Sequence, residues 1–327
     1  MAVTGTALVA AAALAPAPSE RPGRALAWLL FVGSSVHVAS TGWFATSPDV
    51  RSHATTGDRR LLALPVVCVV LGCVAAAMLS GRGMTWLLLL LFAWQFHHFQ
   101  KQNLGVAAMA ARAAGVEAPR RLERRAVVLA GLCGIAALVA DPGLLQIEPY
   151  APVRAALLAL GAVALVTVVA GALLLLARPR GRRAPSYCAA YLMALVFPLP
   201  IFIFRSPDAA VGGMTIGHGL QYLVLMGLVA RGRAGTDRRR RDGAVLCAIA
   251  LVGGAALNVA SHLHLSSSAA VRALFGLYVG LVATHFVVDA RLWRLSRPFP
   301  RAFLGARLPF ITSLPDDTRL PIDRIPI

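Results

Sequence analysis

Charge is scarce in this chain, and negative charge scarcer still. Of 327 residues only 14% are charged, with 14 acidic side chains against 32 basic ones and a formal net charge of +18. Hydrophobic residues make up 58%, too many for an ordinary soluble domain, and they come in blocks of about 20, the length that crosses a bilayer. The arginines fall in short clusters between those blocks, where they orient a chain in a membrane, so the basic balance does not mark a nucleic-acid binder. The five cysteines, Cys68, Cys73, Cys133, Cys188 and Cys247, lie inside apolar runs without a CxxC pair. They imply no disulfide framework and no thiolate metal site. Lysine occurs once, as Lys101.

The apolar blocks predict an all-α polytopic integral membrane protein. About nine transmembrane helices are expected, near residues 25–44, 61–79, 84–108, 126–140, 153–177, 187–204, 211–230, 243–263 and 269–290. Arginine groups follow the first, third, fifth and seventh of them: Arg51, Arg59 and Arg60; Arg112, Arg120, Arg121, Arg124 and Arg125; Arg178, Arg180, Arg182 and Arg183; Arg231, Arg233 and Arg238 to Arg241. The positive-inside rule then places the N-terminus outside and the C-terminus in the cytoplasm, as expected of a multi-pass protein of the inner (plasma) membrane. Residues 1–24 read as a lead and linker, apolar but short at 1–15 and loosely ordered, without the basic n-region of a secretory signal. Residues 25–290 form the transmembrane domain. Residues 291–327 are a basic, proline-rich cytoplasmic tail that lies on an anionic leaflet or caps the helix ends. Pro198 and Pro200 should kink the sixth span.

A polar or ionisable side chain at membrane depth is costly unless it is paired or faces a cavity, so each one is a candidate functional group. The stretch Trp94 to Lys101, W-Q-F-H-H-F-Q-K, concentrates them. Trp94, His97, His98 and Lys101 share one helical face, and Gln95, His98 and Gln102 make an overlapping stripe. A helix polar this far round belongs at the centre of the bundle; spacing leaves open whether His97 or His98 faces the site. Span 1 presents Ser34, His37 and Thr41 on one face. Span 7 reads G-G-M-T-I-G-H-G-L-Q-Y, with His218, Gln221 and Tyr222 on one face among small residues. Span 9 carries His285 and Asp289 at i and i+4. His262 and His264 fall at the far end of span 8 and His53 lies in a loop, so none of the three is placed in the site.

Neutral imidazoles brought to one depth by several helices suit iron, copper or zinc. Two of them could instead hold a haem, or the group could act as acid and base without metal, or form a proton pathway in a carrier. The metal-ligand candidates are His37, His97, His98, His218 and His285. Asp289 would orient His285 or bind metal directly, Tyr222 is a further catalytic candidate, and Lys101 would hold an anionic group or an oxygen species if it does not snorkel to the interface.

The signatures W-Q-F-H-H-F-Q-K-Q-N-L-G from Trp94, H-G-L-Q-Y from His218 and H-F-V-V-D-A-R-L-W from His285 resemble those of bacterial multi-span membrane proteins with histidine motifs on several helices. H-V-A-S-T-G-W-F at His37 extends the resemblance over most of the chain. In kind the chain is also similar to the Brp/Blh carotenoid-cleaving membrane oxygenases, which bind one iron through histidines on several helices. It lacks their P-H-G-type first motif, which argues against carotene as substrate. It does not resemble the membrane desaturases, whose HxxxH and HxxHH boxes are missing. The resemblance implies a membrane enzyme with a transition metal, iron before haem, that oxidises a small or lipophilic molecule, in the setting of natural-product biosynthesis. An alternative is nitrogen–nitrogen bond (diazo) formation from an amine and nitrite by the same His, Lys and Asp residues, a chemistry proposed for membrane proteins of this general kind. A third is a transporter or proton-coupled carrier. The expected partners are membrane lipid and a small-molecule or lipophilic substrate, with no nucleic acid.

Overall fold

Long runs of leucine, valine and alanine deprive the backbone of water, and a helix satisfies every backbone group within its own segment. The computed structural model, which describes residues 1–17, 20–147, 152–232 and 236–311, is accordingly all-α, with no strand among the described residues. The chain runs through α1 (Ala2–Leu14) and α2 (Arg24–Phe31), then a π-helical turn (Val32–Val36), α3 (His37–Ser40) and a 3-10 turn (Thr41–Thr46) that continue α2 as one rod. It goes on through α4 (Pro48–Thr56), α5 (Arg60–Met78), α6 (Arg82–Ala113), α7 (Arg121–Ala140) and α8 (Arg154–Leu176). After α9 (Pro185–Val196) and the single turn α10 (Pro200–Ile203), a second π turn (Asp208–Gly212) leads into α11 (Gly213–Arg231). The last helices are α12 (Thr236–Ser261), α13 (Ala269–Leu292) and α14 (Pro298–Gly305).

Six stretches are long and apolar enough to cross a membrane: Arg24–Thr46, Arg60–Met78, Arg154–Leu176, Asp208–Arg231, Arg239–His264 and Ala269–Leu292. Helices stand at the other three expected positions, but their composition or length falls short of that measure. α6 interrupts its leucines with His97, His98, Gln100, Lys101, Gln102 and Asn103, and α7 opens on Arg121, Glu123, Arg124 and Arg125. α9 has only 12 residues and stops before Pro198 and Pro200, which make the break expected in the sixth span.

Two close approaches set the packing. On α13, Gly276 and Gly280 lie four residues apart and let α5 come into backbone contact at Gly72, as small residues at this spacing do between membrane helices. On α11, Gly219 meets the backbone of Gly33 in the first π turn, and Gly213 and Gly217 receive Ala11 and Thr4 of α1. Within these spans 67% of the α11 window is buried, against 17% for α5 and for α8, so α11 is the central rod.

The lead expected to be loosely ordered is instead the helix α1. Its small residues Thr4, Ala7 and Ala11 form a buried stripe that fits the glycines of α11. The tail caps the bundle as far as it is described: Leu304, Leu308 and Ile311 are buried against Trp43, Phe44 and Met226, and Arg112 donates from Nε to the carbonyl of Ile311 at 2.6 Å. Residues 312–327 of the tail lie outside the described residues, as does Arg233. At the arginine-rich end, the fully buried guanidinium of Arg178 donates from Nε and Nη2 to the two oxygens of Glu123, at 2.6 and 2.5 Å. It also donates to the carbonyls of Glu117 and Ala118. This clamp ties the α6–α7 connection to the end of α8.

Candidate metal centre

Consecutive residues of a helix point about 100° apart, so only one of two adjacent histidines can face a given partner. On α6 that residue is His98. His97 turns towards α7, where with Lys101 it borders a crevice made by Val128, Gly131, Leu132 and Ile135. The polar stripe that matters is therefore His98 with Gln102, while the expected face through His97 and Lys101 lies outside the centre. Lys101 is exposed.

Four of the five predicted histidines come together, each from a different helix. His37 stands on α3 immediately after the π turn, His98 on α6, His218 on α11 next to the Gly219 contact, and His285 on α13. Their rings form a closed circuit: His37 to His218 5.1 Å, His218 to His98 5.1 Å, His98 to His285 4.9 Å and His285 back to His37 5.0 Å between centroids, every pair edge to face. His218 and His285 face each other across it at 6.4 Å. His37, His218 and His285 are buried, and the His98 side chain is only 10% exposed. Phe99 stacks on His218 at 4.0 Å and Phe286 lies 4.7 Å from His98, walling the group in apolar surface.

Asp289 joins from α13. Its Oδ2 lies 3.7 Å from Nε2 of His98 and 3.8 Å from Nε2 of His285. Arg291, two residues further along α13, bonds Asp58 and not Asp289. Nor does Asp289 orient His285 through the other ring nitrogen. That place belongs to Thr41, whose hydroxyl is 2.6 Å from Nδ1 of His285 and 2.9 Å from the hydroxyl of Tyr222. Tyr222 in turn donates to Oδ1 of Asp289 at 2.8 Å. With Asp289 ionised, proton bookkeeping gives this chain one direction. Tyr222 spends its single proton on the carboxylate, so Thr41 donates to Tyr222, and Nδ1–H of His285 donates to Thr41. The second nitrogen of His285, Nε2, is left with a free lone pair, 3.8 Å from Oδ2 of Asp289.

A second polar cluster borders His218. Gln102 donates to the side chain of Gln221 at 2.8 Å and to the backbone carbonyl of His218 at 3.3 Å, and Gln221 donates to Thr4 at 3.1 Å. It holds α1, α6 and α11 in register. Sequence reasoning set Thr41, Gln102 and Gln221 on the histidine faces without giving them a role, and it missed Thr4. For Thr41 the signal was its place four residues after His37 on one face.

No family model, curated protein or solved structure matches this chain. Function has to come from the site itself.

The donor set fits a transition metal. Among the described residues, both nitrogens of His37, both of His218, and Nε2 of His98 and His285 are buried without a hydrogen-bond partner. An unmet buried polar group is costly, so ring nitrogens gathered in this way call for an electron-pair acceptor among them. Donor atoms of His37, His218 and His285 lie within 4.8 Å of one another, and so do those of His98, His285 and Asp289. Two overlapping triads share His285. Metal–nitrogen bonds of about 2.1 Å would draw such atoms somewhat closer together, a movement within reach of side-chain rotation.

Proposed function

We propose that this chain is an integral membrane enzyme that holds a transition metal, iron foremost, in the histidine centre and oxidises a small or lipophilic molecule there. The observation that carries this reading is the circuit of four buried imidazoles from four helices with six unpartnered ring nitrogens. Iron is favoured among metals because His98, His285 and Asp289 offer two imidazoles and one carboxylate, the donor set of non-haem iron(II) oxygenase sites. His37 and His218 complete the holding set, and bound iron would supply one-electron and Lewis-acid chemistry. Around it the protein's own groups do the rest: Thr41 fixes the ring of His285, Tyr222 fixes the carboxylate of Asp289, and Phe99 and Phe286 exclude water. The setting is the inner membrane, with nine spans, the N-terminus outside and the arginine-rich end in the cytoplasm, as the charge alternation supports.

The test is elemental analysis of the purified protein beside a His218→Ala, His285→Ala double variant prepared identically. Near-stoichiometric iron, copper or zinc in the parent and its loss in the variant is the expected result, and which metal co-purifies decides the oxidative reading. His97→Ala should keep the metal and His98→Ala should lose it. No metal in the folded, active parent would retire this reading. The same histidines, Asp289 and Tyr222 would then be left to act as acid and base on an amine, including nitrogen–nitrogen bond formation, or in proton-coupled transport.

A further inference from the structure

At the arginine-rich end, the turn between α4 and α5 faces the turn between α13 and α14 across a cleft of about 480 Å³. That is the size of a small-molecule site. Three guanidinium groups line it, those of Arg60, Arg291 and Arg297, with one carboxylate, Asp58, and the imidazole of His53. Both Arg291 and Arg297 donate from Nη1 to the same oxygen of Asp58, at 2.5 and 3.4 Å. Among the described residues these are the only polar bonds either side chain makes, and the Arg60 side chain makes none. A guanidinium carries five N–H donors, so most of this donor capacity is unspent and the lining is cationic by two charges.

The opposite wall is apolar. Leu61 and Leu292 are buried, and Phe299 stacks on His53 at 3.8 Å with the rings 9° from parallel. Leu292 follows Asp289 by three residues on α13, one helical turn along the same face, so the floor of the cleft is about 5 Å along the axis from the carboxylate of the histidine centre. Leu61 and Leu292 belong to the apolar cluster that also contains Tyr222. Cleft and centre share a wall.

We infer that this cleft binds an amphiphile with an oxyanion head, phosphate or carboxylate, seated on Arg60, Arg291 and Arg297 with its apolar body against Leu61, Leu292 and Phe299. Arginine is suited to such heads because its planar fork meets two oxygens at once. The inference rests on the proposed enzyme reading and narrows its substrate class from lipophilic molecules to lipophilic anions. The same chemistry is offered by a bilayer phospholipid and by a soluble amphiphile.

The experiment measures binding of radiolabelled dodecyl phosphate to the full chain in phosphatidylcholine nanodiscs. An Arg60→Gln, Arg297→Gln double variant should lower affinity at least tenfold. Both side chains reach solvent, and the Arg291–Asp58 pair is left intact, so the fold is kept. Phe299→Ala should weaken dodecyl phosphate several-fold while leaving competition by inorganic phosphate unchanged. Displacement by phosphatidylglycerol at comparable affinity assigns the head to a membrane lipid; resistance to it assigns a soluble amphiphile, and either result supports the site. Equal binding by parent and double variant, or equal competition by uncharged dodecanol, overturns it. Repeating the measurement on the His218→Ala, His285→Ala variant separates the two proposals: retained binding there, with no metal in the parent, leaves the cleft standing and removes the metal centre.

Discussion

Replacing Thr41 by valine keeps the shape of the side chain and removes only its hydroxyl. Two contacts go with it, the 2.6 Å contact to Nδ1 of His285 and the 2.9 Å contact to Tyr222. Tyr222 keeps its bond to Asp289, but Nδ1–H of His285 is left buried without an acceptor, a penalty of about 1–3 kcal/mol. The ring is then free to carry its proton on either nitrogen. A proton on Nε2 blocks the lone pair that a metal would need. Loss of such an outer partner of a metal-binding histidine typically lowers metal affinity about 10–100-fold, or about 1.4–2.7 kcal/mol. Thr41→Val should therefore weaken iron(II) binding by that factor in a competition titration against a chromophoric chelator, and Thr41→Ser should recover most of it. If Thr41→Val binds as tightly as the parent while His285→Ala does not bind, the chain from His285 through Thr41 to Asp289 has no part in holding the ring.

Two further outcomes follow from the packing. A methyl group at Gly219 would run into the carbonyl of Gly33, so Gly219→Ala should cost about 1–3 kcal/mol and push His37 and His218 apart. Lower thermal stability together with reduced metal content is expected, whereas Gly227→Ala, which meets nothing within 4 Å, should leave both unchanged. In the first turn of α7, ahead of the apolar stretch, burial pushes the Glu123 carboxyl up, but the hydrogen bonds from Arg178 and from the Arg120 backbone pull it further down, below the usual carboxylate range. A depressed folded value means that its stabilisation is complete above the unfolded value, about 4.3, and is lost as pH falls through the folded one. The unfolding temperature of the parent should thus fall in acid below about pH 4. Glu123→Gln should lack that step and be destabilised at neutral pH by roughly 3–5 kcal/mol, because Arg178 is left buried without its partner. An acid profile unchanged in the variant would refute the assignment.

Much of the bundle was legible because apolar run length is a one-dimensional property. The six apolar rods, the break at Pro198 and Pro200, and the concentration of histidines on separate helices all follow from composition and spacing. α1 was not legible as an ordered element. Thirteen apolar residues carry no sign of a partner, and the stripe of Thr4, Ala7 and Ala11 gains meaning only against the glycines of α11. The choice between His97 and His98 was closed to sequence reasoning for a related reason: both lie in polar stripes, and only the position of α11 and α13 around α6 selects one. Thr41 was visible on the face of His37, yet its partners are 181 and 244 residues away along the chain. Hydrogen bonds at that separation leave no local pattern.

The two π turns give the histidine centre a soft side and a stiff side. A π turn is wider than an α turn and held by poorer hydrogen bonds, and these two stand at the heads of the segments that carry His37 and His218. His98 and His285 ride on α6 and α13, unbroken helices of 32 and 24 residues. Any force that tightens the circuit of rings would be met unequally. α6 and α13 would act as the anvil, and the rods of His37 and His218, locked to each other where Gly33 touches Gly219, would yield together as one jaw.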